Sequence, residues 1–285
     1  CTHATMFGII TRNLVLGSQG PMTKTVEGHL TTPDGVQLAY VQTLGQSPGI
    51  VFLGGYMSDM TGIKAQALET FCQENNLSFV RFDYRGHGAS TGSFEMSTIS
   101  TWASDTLAVI DSLTEGPQIL VGSSMGGWLM LLAAIARKPL ISGLVGIAAA
   151  TDFTRRLLDN ELTGSQLTEL KRTGITRIHS PYSETPYVFT QSLLEDGQTQ
   201  LLLEDSKLAT NTINSDIASI SGLLPKNCSA FSSFIGRLYP VATGSMKTRS
   251  ACCKTVCRLA TSLYGGGGNV ALALTCARIG PRPPR

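Results

Sequence analysis

A short run of small residues between an apolar strand and a helix constrains the fold more than any other part of the sequence. Residues 119–121 are apolar and partly β-branched, which is typical of a buried strand, and residues 128–137 are rich in Leu, Met and Ala, which favour a helix. Between them, residues 122–126 fit the pattern G-x-S-x-G. A serine on such a tight turn needs small neighbours so that strand and helix can approach each other. Ser124 is therefore a candidate nucleophile, with an ordinary Gly/Ser turn as the alternative.

Strand and helix patterns alternate over residues 22–150. Short apolar or β-branched runs predict strands, and apolar residues at helical spacing predict helices. The predicted strands cover residues 25–31, 36–43, 50–53, 78–82, 118–121 and 141–149, and the predicted helices cover residues 61–75 and 97–113. A Pro-Asp-Gly turn at residues 33–35 predicts a hairpin for the first two strands. The alternation as a whole predicts an α/β fold with a mostly parallel sheet and flanking helices.

Polar or glycine-rich loops follow four of the buried strands. They contain residues 54–56, residues 83–90, Ser124 and Asp152. Because ligands of parallel sheets bind at the carboxyl ends of the strands, these loops are expected to form a cleft at one edge of the sheet.

The chain is expected to divide into three parts. Residues 22–208 form the α/β domain, in which residues 153–203 are expected to cover the cleft as a small helical lid, with helices at 153–162 and 190–203. Residues 1–21 lack the basic and long apolar segments of a signal peptide, so they are interpreted as an extension without a fold of its own. Residues 209–285 show little hydrophobic periodicity and are interpreted as an aberrant or disordered tail without the expected last strands.

Charge and cysteine are concentrated in the C-terminal tail. Residues 207–285 hold ten Lys or Arg against one acid, and five of the seven cysteines. The basic residues are widely spaced with few aromatics, so nucleic-acid or membrane binding is not favoured. The cysteines lack the paired spacing of a zinc site, and no apolar run approaches the length of a membrane span. No metal, cofactor, nucleic-acid partner or integral membrane segment is expected, and the cysteine-poor body indicates a reducing, intracellular setting.

Three motifs carry a resemblance to a known family. Residues 22–208 resemble the α/β-hydrolase superfamily, and within it the branch of the mitochondrial palmitoyl-protein thioesterase and acyl-glucuronide esterase with its bacterial relatives. The matching stretches are residues 54–58, residues 81–88 and, above all, residues 116–131, with Ser180-Pro181-Tyr182-Ser183 in the lid as a further match.

This resemblance implies a function for the cleft. Ser124 would be the nucleophile, and the backbone amides of Tyr56 and Met125 would form the oxyanion hole. His87 would be a structural turn residue bonded to nearby backbone. The implied substrates are small-molecule or acylated-protein esters and thioesters, cleaved without a cofactor.

The base and acid that should activate Ser124 are not identifiable. The superfamily order is Ser, acid, His, yet His179 in the lid is the only histidine after Ser124. We interpret the composition of the tail as a loss of the reading frame near residues 208–215. In the alternative, His179 or His87 acts with Asp152 as a rearranged triad; the ordinary roles of these residues would be a lid-surface histidine, a loop histidine and a helix N-cap aspartate.

The favoured function is therefore a serine acyl hydrolase, either a carboxylesterase or a thioesterase, acting through an acyl-enzyme on Ser124. The alternative is a non-catalytic hydrolase-like binding protein or the inactive product of a frame-shifted gene. The expected location is cytoplasmic, with mitochondrial as the alternative. The sequence sets no oligomeric state.

Overall fold

A twisted sheet forms the centre of the molecule. The computed structural model describes residues 24–179 and 184–203, and six strands within them form one sheet. In chain order they are β1 (Thr25–Thr31), β2 (Gln37–Thr43), β3 (Gln46–Leu53), β4 (Leu77–Phe82), β5 (Gln118–Ser123) and β6 (Ile141–Ile147). Their order across the sheet is β1-β2-β4-β3-β5-β6, in which β1, β2 and β4 pair antiparallel and β4, β3, β5 and β6 pair parallel. The predicted mostly parallel sheet and its N-terminal hairpin are confirmed.

Helices cover both faces of the sheet because its central strands are apolar on both sides. Helix α1 (Ile63–Glu74) packs on one face, to which Ile50 and Phe52 of β3 point. Helices α2 (Ile99–Leu113) and α3 (Met125–Ala136) pack on the other face with Val51 and Leu53. Strand side chains alternate between the two faces, so a continuous apolar run is what a doubly covered strand requires.

The helix boundaries differ slightly from those expected. Helix α2 begins at Ile99 rather than at residue 97, because Thr98 caps it: the Thr98 side chain accepts a hydrogen bond from the Thr101 amide. Helix α3 begins at Met125, three residues earlier than expected, so it includes the glycine pair Gly126 and Gly127. The serine turn and the helix are thus directly continuous.

The carboxyl ends of three strands lie at the same level. Leu53 of β3 pairs with Gly122 of β5, and Ser123 of β5 pairs with Ile147 of β6. The loops that follow these strands therefore meet at one edge of the sheet, where the sequence predicts the cleft.

The lid is only partly helical. It contains α4 (Phe153–Arg156), which continues as one wide π-helical turn (Leu157–Glu161), then α5 (Gly164–Thr173), β7 (Ile175–Ile178), β8 (Tyr187–Thr190) and α6 (Gln191–Thr199). Strands β7 and β8 pair as an antiparallel hairpin. The two expected lid helices are present, although the second covers Gln191–Thr199 rather than 190–203, and the hairpin between them was not expected. The aromatic and β-branched run of β8 forms a strand, and the Thr190 side chain caps α6 by accepting from the Leu193 amide.

Two contacts anchor the lid to the sheet domain. The Asp196 carboxylate on α6 accepts from the amide and the hydroxyl of Ser100 at the start of α2, at 2.8 and 2.6 Å. The Trp128 indole of α3 donates to the Gln200 carbonyl at 3.2 Å. Both contacts join residues far apart in sequence, so they hold the lid against the helical layer beneath it.

Several expectations fall on residues outside the described ranges: the extension at 1–21, the lid motif at 180–183 and the tail at 209–285 with its missing strands and lost frame. Among the described residues, no helix is long and apolar enough to cross a membrane, and no group of three or more His, Cys, Asp or Glu is arranged to hold a metal ion.

Candidate active site

Ser124 lies on a strained turn between β5 and α3. Its φ of 53° and ψ of −119° are rarely adopted by a residue with a side chain. A Cβ on Gly122 would lie 2.6 Å from the Gly126 carbonyl carbon, and one on Gly126 would lie 2.6 Å from the Gly54 carbonyl oxygen. The two glycines of the G-x-S-x-G pattern are therefore required by the close approach of α3 to strands β5 and β3.

Three backbone hydrogen bonds fix this conformation. The Ser124 amide donates to the Ile147 carbonyl at 3.0 Å, and the Ser124 carbonyl accepts from the Gly127 and Ala150 amides, both at 2.9 Å. Several hydrogen bonds to neighbouring residues can hold a strained backbone in place, because each of them independently favours the same conformation. The Ser124 side chain is half-buried, and its hydroxyl has no hydrogen-bond partner in the described part of the chain.

A tight turn after β3 lies against Ser124. The Ser58 amide donates to the Gly55 carbonyl at 3.2 Å, and Met57 between them has a left-handed φ of 55°. A Cβ on Gly55 would lie 3.4 Å from the Ser124 Cβ and 3.3 Å from the Ser58 hydroxyl. We call residues 55–58 the oxyanion turn, after the role that the sequence predicts for Tyr56.

Two backbone amides near Ser124 are free to bind a ligand. The amides of Tyr56, in the oxyanion turn, and of Met125, the first residue of α3, donate to no group within the residues that the structure describes. The Met125 amide is one of the donors that every helix leaves unpaired in its first turn. Such amides favour an oxygen that carries negative charge.

The Tyr56 side chain connects the oxyanion turn to the lid. Its ring stacks on Phe189 of β8 at a centroid distance of 5.1 Å and meets Phe94 and Trp102 edge-on at 5.1 and 5.8 Å. Its hydroxyl donates a hydrogen bond to the Val188 carbonyl, also on β8. Burial raises the pKa of this phenol well above its ordinary value, so Tyr56 stays neutral and acts as a donor.

His87 is committed to backbone contacts. Its Nε2 accepts from the Met57 amide at 3.3 Å, and because Nε2 is an acceptor, Nδ1 carries the proton and donates to the Arg85 carbonyl at 3.2 Å. The ring is buried, and this burial lowers the pKa of His87 below its ordinary 6.5. The expected role as a structural turn residue agrees with this geometry.

The loop that carries His87 is itself fixed by buried charges. The Asp83 carboxylate accepts from the Met60 and Ala89 amides at 2.6 and 2.9 Å. The Arg85 guanidinium pairs with the fully buried Asp105 of α2 at 2.8 Å, and this partner raises the pKa of Arg85 above its ordinary value. The polar residues of this loop therefore serve as a scaffold beside the cleft.

Asp152 joins the two ends of the lid. It occupies the N-cap position of α4 with a left-handed φ of 57°, but its side chain does not cap that helix. The carboxylate instead accepts from the amides of Leu202 and Leu203, at 3.0 and 2.7 Å. Its position agrees with the expected N-cap aspartate, whereas its hydrogen bonds do not.

The histidines of the described ranges do not reach Ser124. His29 lies exposed on β1, His179 lies exposed after β7, and both ring nitrogens of His87 have other partners. Within these ranges the structure brings together Ser124, Tyr56 and Met125, as the sequence predicts, but no general base with them.

The strand order, the serine turn and the two free amides define an α/β-hydrolase. The family model described as serine aminopeptidase, S33, matches residues 49–218, and the chain belongs to this family of hydrolases. The predicted superfamily and fold class are thereby confirmed.

Relatives and solved structures agree with this assignment. The chain is 44% identical over 181 residues to the mitochondrial palmitoyl-protein thioesterase ABHD10 of Bos taurus and of Homo sapiens, and the match covers 63% of this chain and 59% of each relative. The chain thus spans less than two thirds of these relatives. The structure of mouse α/β-hydrolase domain-containing protein 10 superposes with a TM-score of 0.58 at 39% identity, covering 63% of this chain and 72% of that one. A putative hydrolase from Agrobacterium vitis S4 gives 0.59 at 37%, covering 64% and 73%.

Proposed function

We propose that this protein is a serine acyl hydrolase that cleaves esters or thioesters through an acyl-enzyme on Ser124. One observation carries the proposal: the Ser124 hydroxyl, on a strained strand-to-helix turn, and the nearby amides of Tyr56 and Met125 have no hydrogen-bond partner among the described residues. This is the arrangement that acyl transfer needs, a nucleophile next to fixed donors for the developing negative charge.

The chemistry follows in two steps. The Ser124 oxygen attacks the carbonyl carbon while its proton passes to a base, and the carbonyl oxygen becomes an oxyanion that accepts from the Tyr56 and Met125 amides. Each such donor is worth about 2.7–4 kcal/mol in the transition state. Collapse expels the alcohol or thiol, which leaves with a proton, and water then hydrolyses the acyl-serine by the same route. No residue described above is assigned as the base or as its orienting acid.

The proposed substrates are S-acyl-cysteine proteins or acyl-glucuronide and related small esters. Support for the thioester comes from the name of the curated relatives, palmitoyl-protein thioesterase. Those names also describe the relatives as mitochondrial, so we propose a mitochondrial location; the expected cytoplasmic location has no support from them. We also propose that residues 22–208 act as the hydrolase domain, with residues 1–21 and 209–285 outside it.

One observation favours a second candidate, a non-catalytic hydrolase-like protein or an inactive frame-shifted product. Among the described residues, no histidine contacts Ser124. A serine without its base retains only residual activity.

A serine-directed fluorophosphonate probe distinguishes the two candidates. The full chain is treated with the probe, the modified residue is located by mass spectrometry, and hydrolysis of a p-nitrophenyl ester and a palmitoyl thioester is measured in parallel. Rapid labelling at Ser124 that is abolished in Ser124→Ala but kept in Ser123→Ala supports the acyl hydrolase. A folded protein that neither labels nor hydrolyses supports the inactive alternative.

A further inference from the structure

The oxyanion turn cannot keep its shape by local contacts alone. Its internal bond joins the Ser58 amide to the Gly55 carbonyl at 3.2 Å. Met57 is held at a left-handed φ of 55°, which is unfavourable for a residue with a side chain. A conformation of this kind persists only where neighbouring groups impose it. The Tyr56 amide, one residue earlier, shares that dependence.

His87 supplies a bond to the strained residue. Its Nε2 accepts from the Met57 amide at 3.3 Å, while Nδ1 donates to the Arg85 carbonyl at 3.2 Å. The ring is only 4% exposed, and it meets Phe94 and Trp102 edge-on at 5.0 and 5.3 Å. The imidazole therefore has two backbone partners and apolar walls, which fix its orientation.

The support extends into the sheet domain. The Arg85 amide donates to the buried Asp105 carboxylate at 2.9 Å, and the Arg85 guanidinium forms an ion pair with the same group. A contiguous series of bonds thus runs from Asp105 on α2 through Arg85 and His87 to Met57. Met57 is covalently joined to Tyr56, whose amide donates to no group among the described residues.

We propose that His87 is a positioning residue for acyl transfer: its neutral imidazole holds the Met57 amide, so that the adjacent Tyr56 amide stays directed at the oxyanion site beside Ser124. This inference rests on the proposed function. His87 touches neither substrate nor Ser124, and acts only through the oxyanion turn.

The predicted effect is on the transition state rather than on substrate binding. An oxyanion donor binds the charge that develops during attack, so its displacement lowers kcat and leaves KM nearly unchanged. Complete loss of one donor costs about 10²- to 10³-fold in kcat. Because the Tyr56 amide is misplaced rather than removed, we expect His87→Leu to lower kcat by roughly 10- to 100-fold.

The test compares His87→Leu with His87→Gln, whose side-chain oxygen can accept from the Met57 amide, and with His29→Leu, the same change at an exposed site. Each full-length variant is assayed for kcat and KM with a p-nitrophenyl ester, and for hydrogen exchange of the Tyr56 and Met57 amides. We expect a lower kcat, an unchanged KM and faster Met57 exchange in His87→Leu, with partial rescue in His87→Gln. His87→Asn, too short to reach Met57, replaces His87→Leu if that variant does not fold.

Two outcomes would overturn the inference: full kcat in a folded His87→Leu, or Met57 exchange no faster than in His29→Leu. If the parent protein itself hydrolyses nothing, the proposed function fails separately. Hydrogen exchange then decides whether His87 holds the turn. Faster Met57 exchange in His87→Leu than in His29→Leu supports that role, and equal exchange in the two variants refutes it.

Discussion

Replacing Gly126 by alanine tests whether α3 needs a glycine to approach the sheet. A Cβ at this position would lie 2.6 Å from the Gly54 carbonyl oxygen and closer still to the Leu53 carbonyl oxygen. Both obstacles are backbone atoms of the chain that leaves the central strand β3, so relief requires a shift of strand or helix. Overpacking of this kind costs about 1–3 kcal/mol, and rigid neighbours favour the upper end.

Alanine has a higher helix propensity than glycine, by about 1 kcal/mol, and this gain partly offsets the cost of the clash. We expect a net loss of about 2 kcal/mol in the free energy of unfolding, a large share of the roughly 5–15 kcal/mol that stabilises a typical domain. For a domain of this size the melting temperature should fall by roughly 4–8 °C.

Thermal and urea unfolding of the full-length variant measure this loss, with Gly164→Ala as the matched control. Gly164 opens α5, and a Cβ there would meet nothing within 4 Å. The control should be neutral or stabilised by up to about 1 kcal/mol. If Gly126→Ala proves as stable as Gly164→Ala, then α3 does not approach β3 as closely as described, and the steric account of the G-x-S-x-G pattern fails.

Three further predictions concern buried polar groups. Asp152→Ala removes charge-assisted hydrogen bonds, so it should lower the free energy of unfolding in urea by about 2–3 kcal/mol and speed hydrogen exchange of the Leu203 amide. An unchanged exchange rate of that amide would contradict this. Asp105→Asn should cost about 3–5 kcal/mol, because it leaves Arg85 without its buried partner, whereas equal stability would show that the pair is dispensable. Burial lowers the pKa of His87, so the unfolded chain takes up its proton first, and stability should be full above pH 6.5 and fall as the pH is lowered below it. In His87→Gln this fall in stability should be smaller; an equally steep fall in that variant would contradict the assignment to His87.

The sheet and its serine turn could be predicted because their signals are local. The continuous apolar run of β5 indicates a strand that is buried on both faces. The small residues around Ser124 indicate that a helix packs closely against the turn. The sequence predicts the start of α3 three residues late because glycines are poor helix formers, and in the structure the packing of α3 on the sheet overrides that preference.

The lid and its contacts were harder to predict. The capping pair of Thr163 with Gln166 and the left-handed Gly174 mark both ends of α5, so that helix could have been found. The bond from Met57 to His87 joins residues 30 positions apart, and that from Leu203 to Asp152 joins residues 51 apart. Such contacts depend on how strands and loops are arranged in space, and one sequence contains no local signal for them.

The hydrogen bonds of Asp152 have a consequence for how this protein could be engineered. Because one carboxylate holds residue 152 next to residues 202 and 203, the two ends of the lid segment lie side by side. A segment with adjacent ends behaves as a cassette, since exchanging it leaves the rest of the chain path unaltered. Lids of other lengths could thus be grafted between these positions, which would change the lid residues that contact Tyr56 while the sheet that presents Ser124 stays the same.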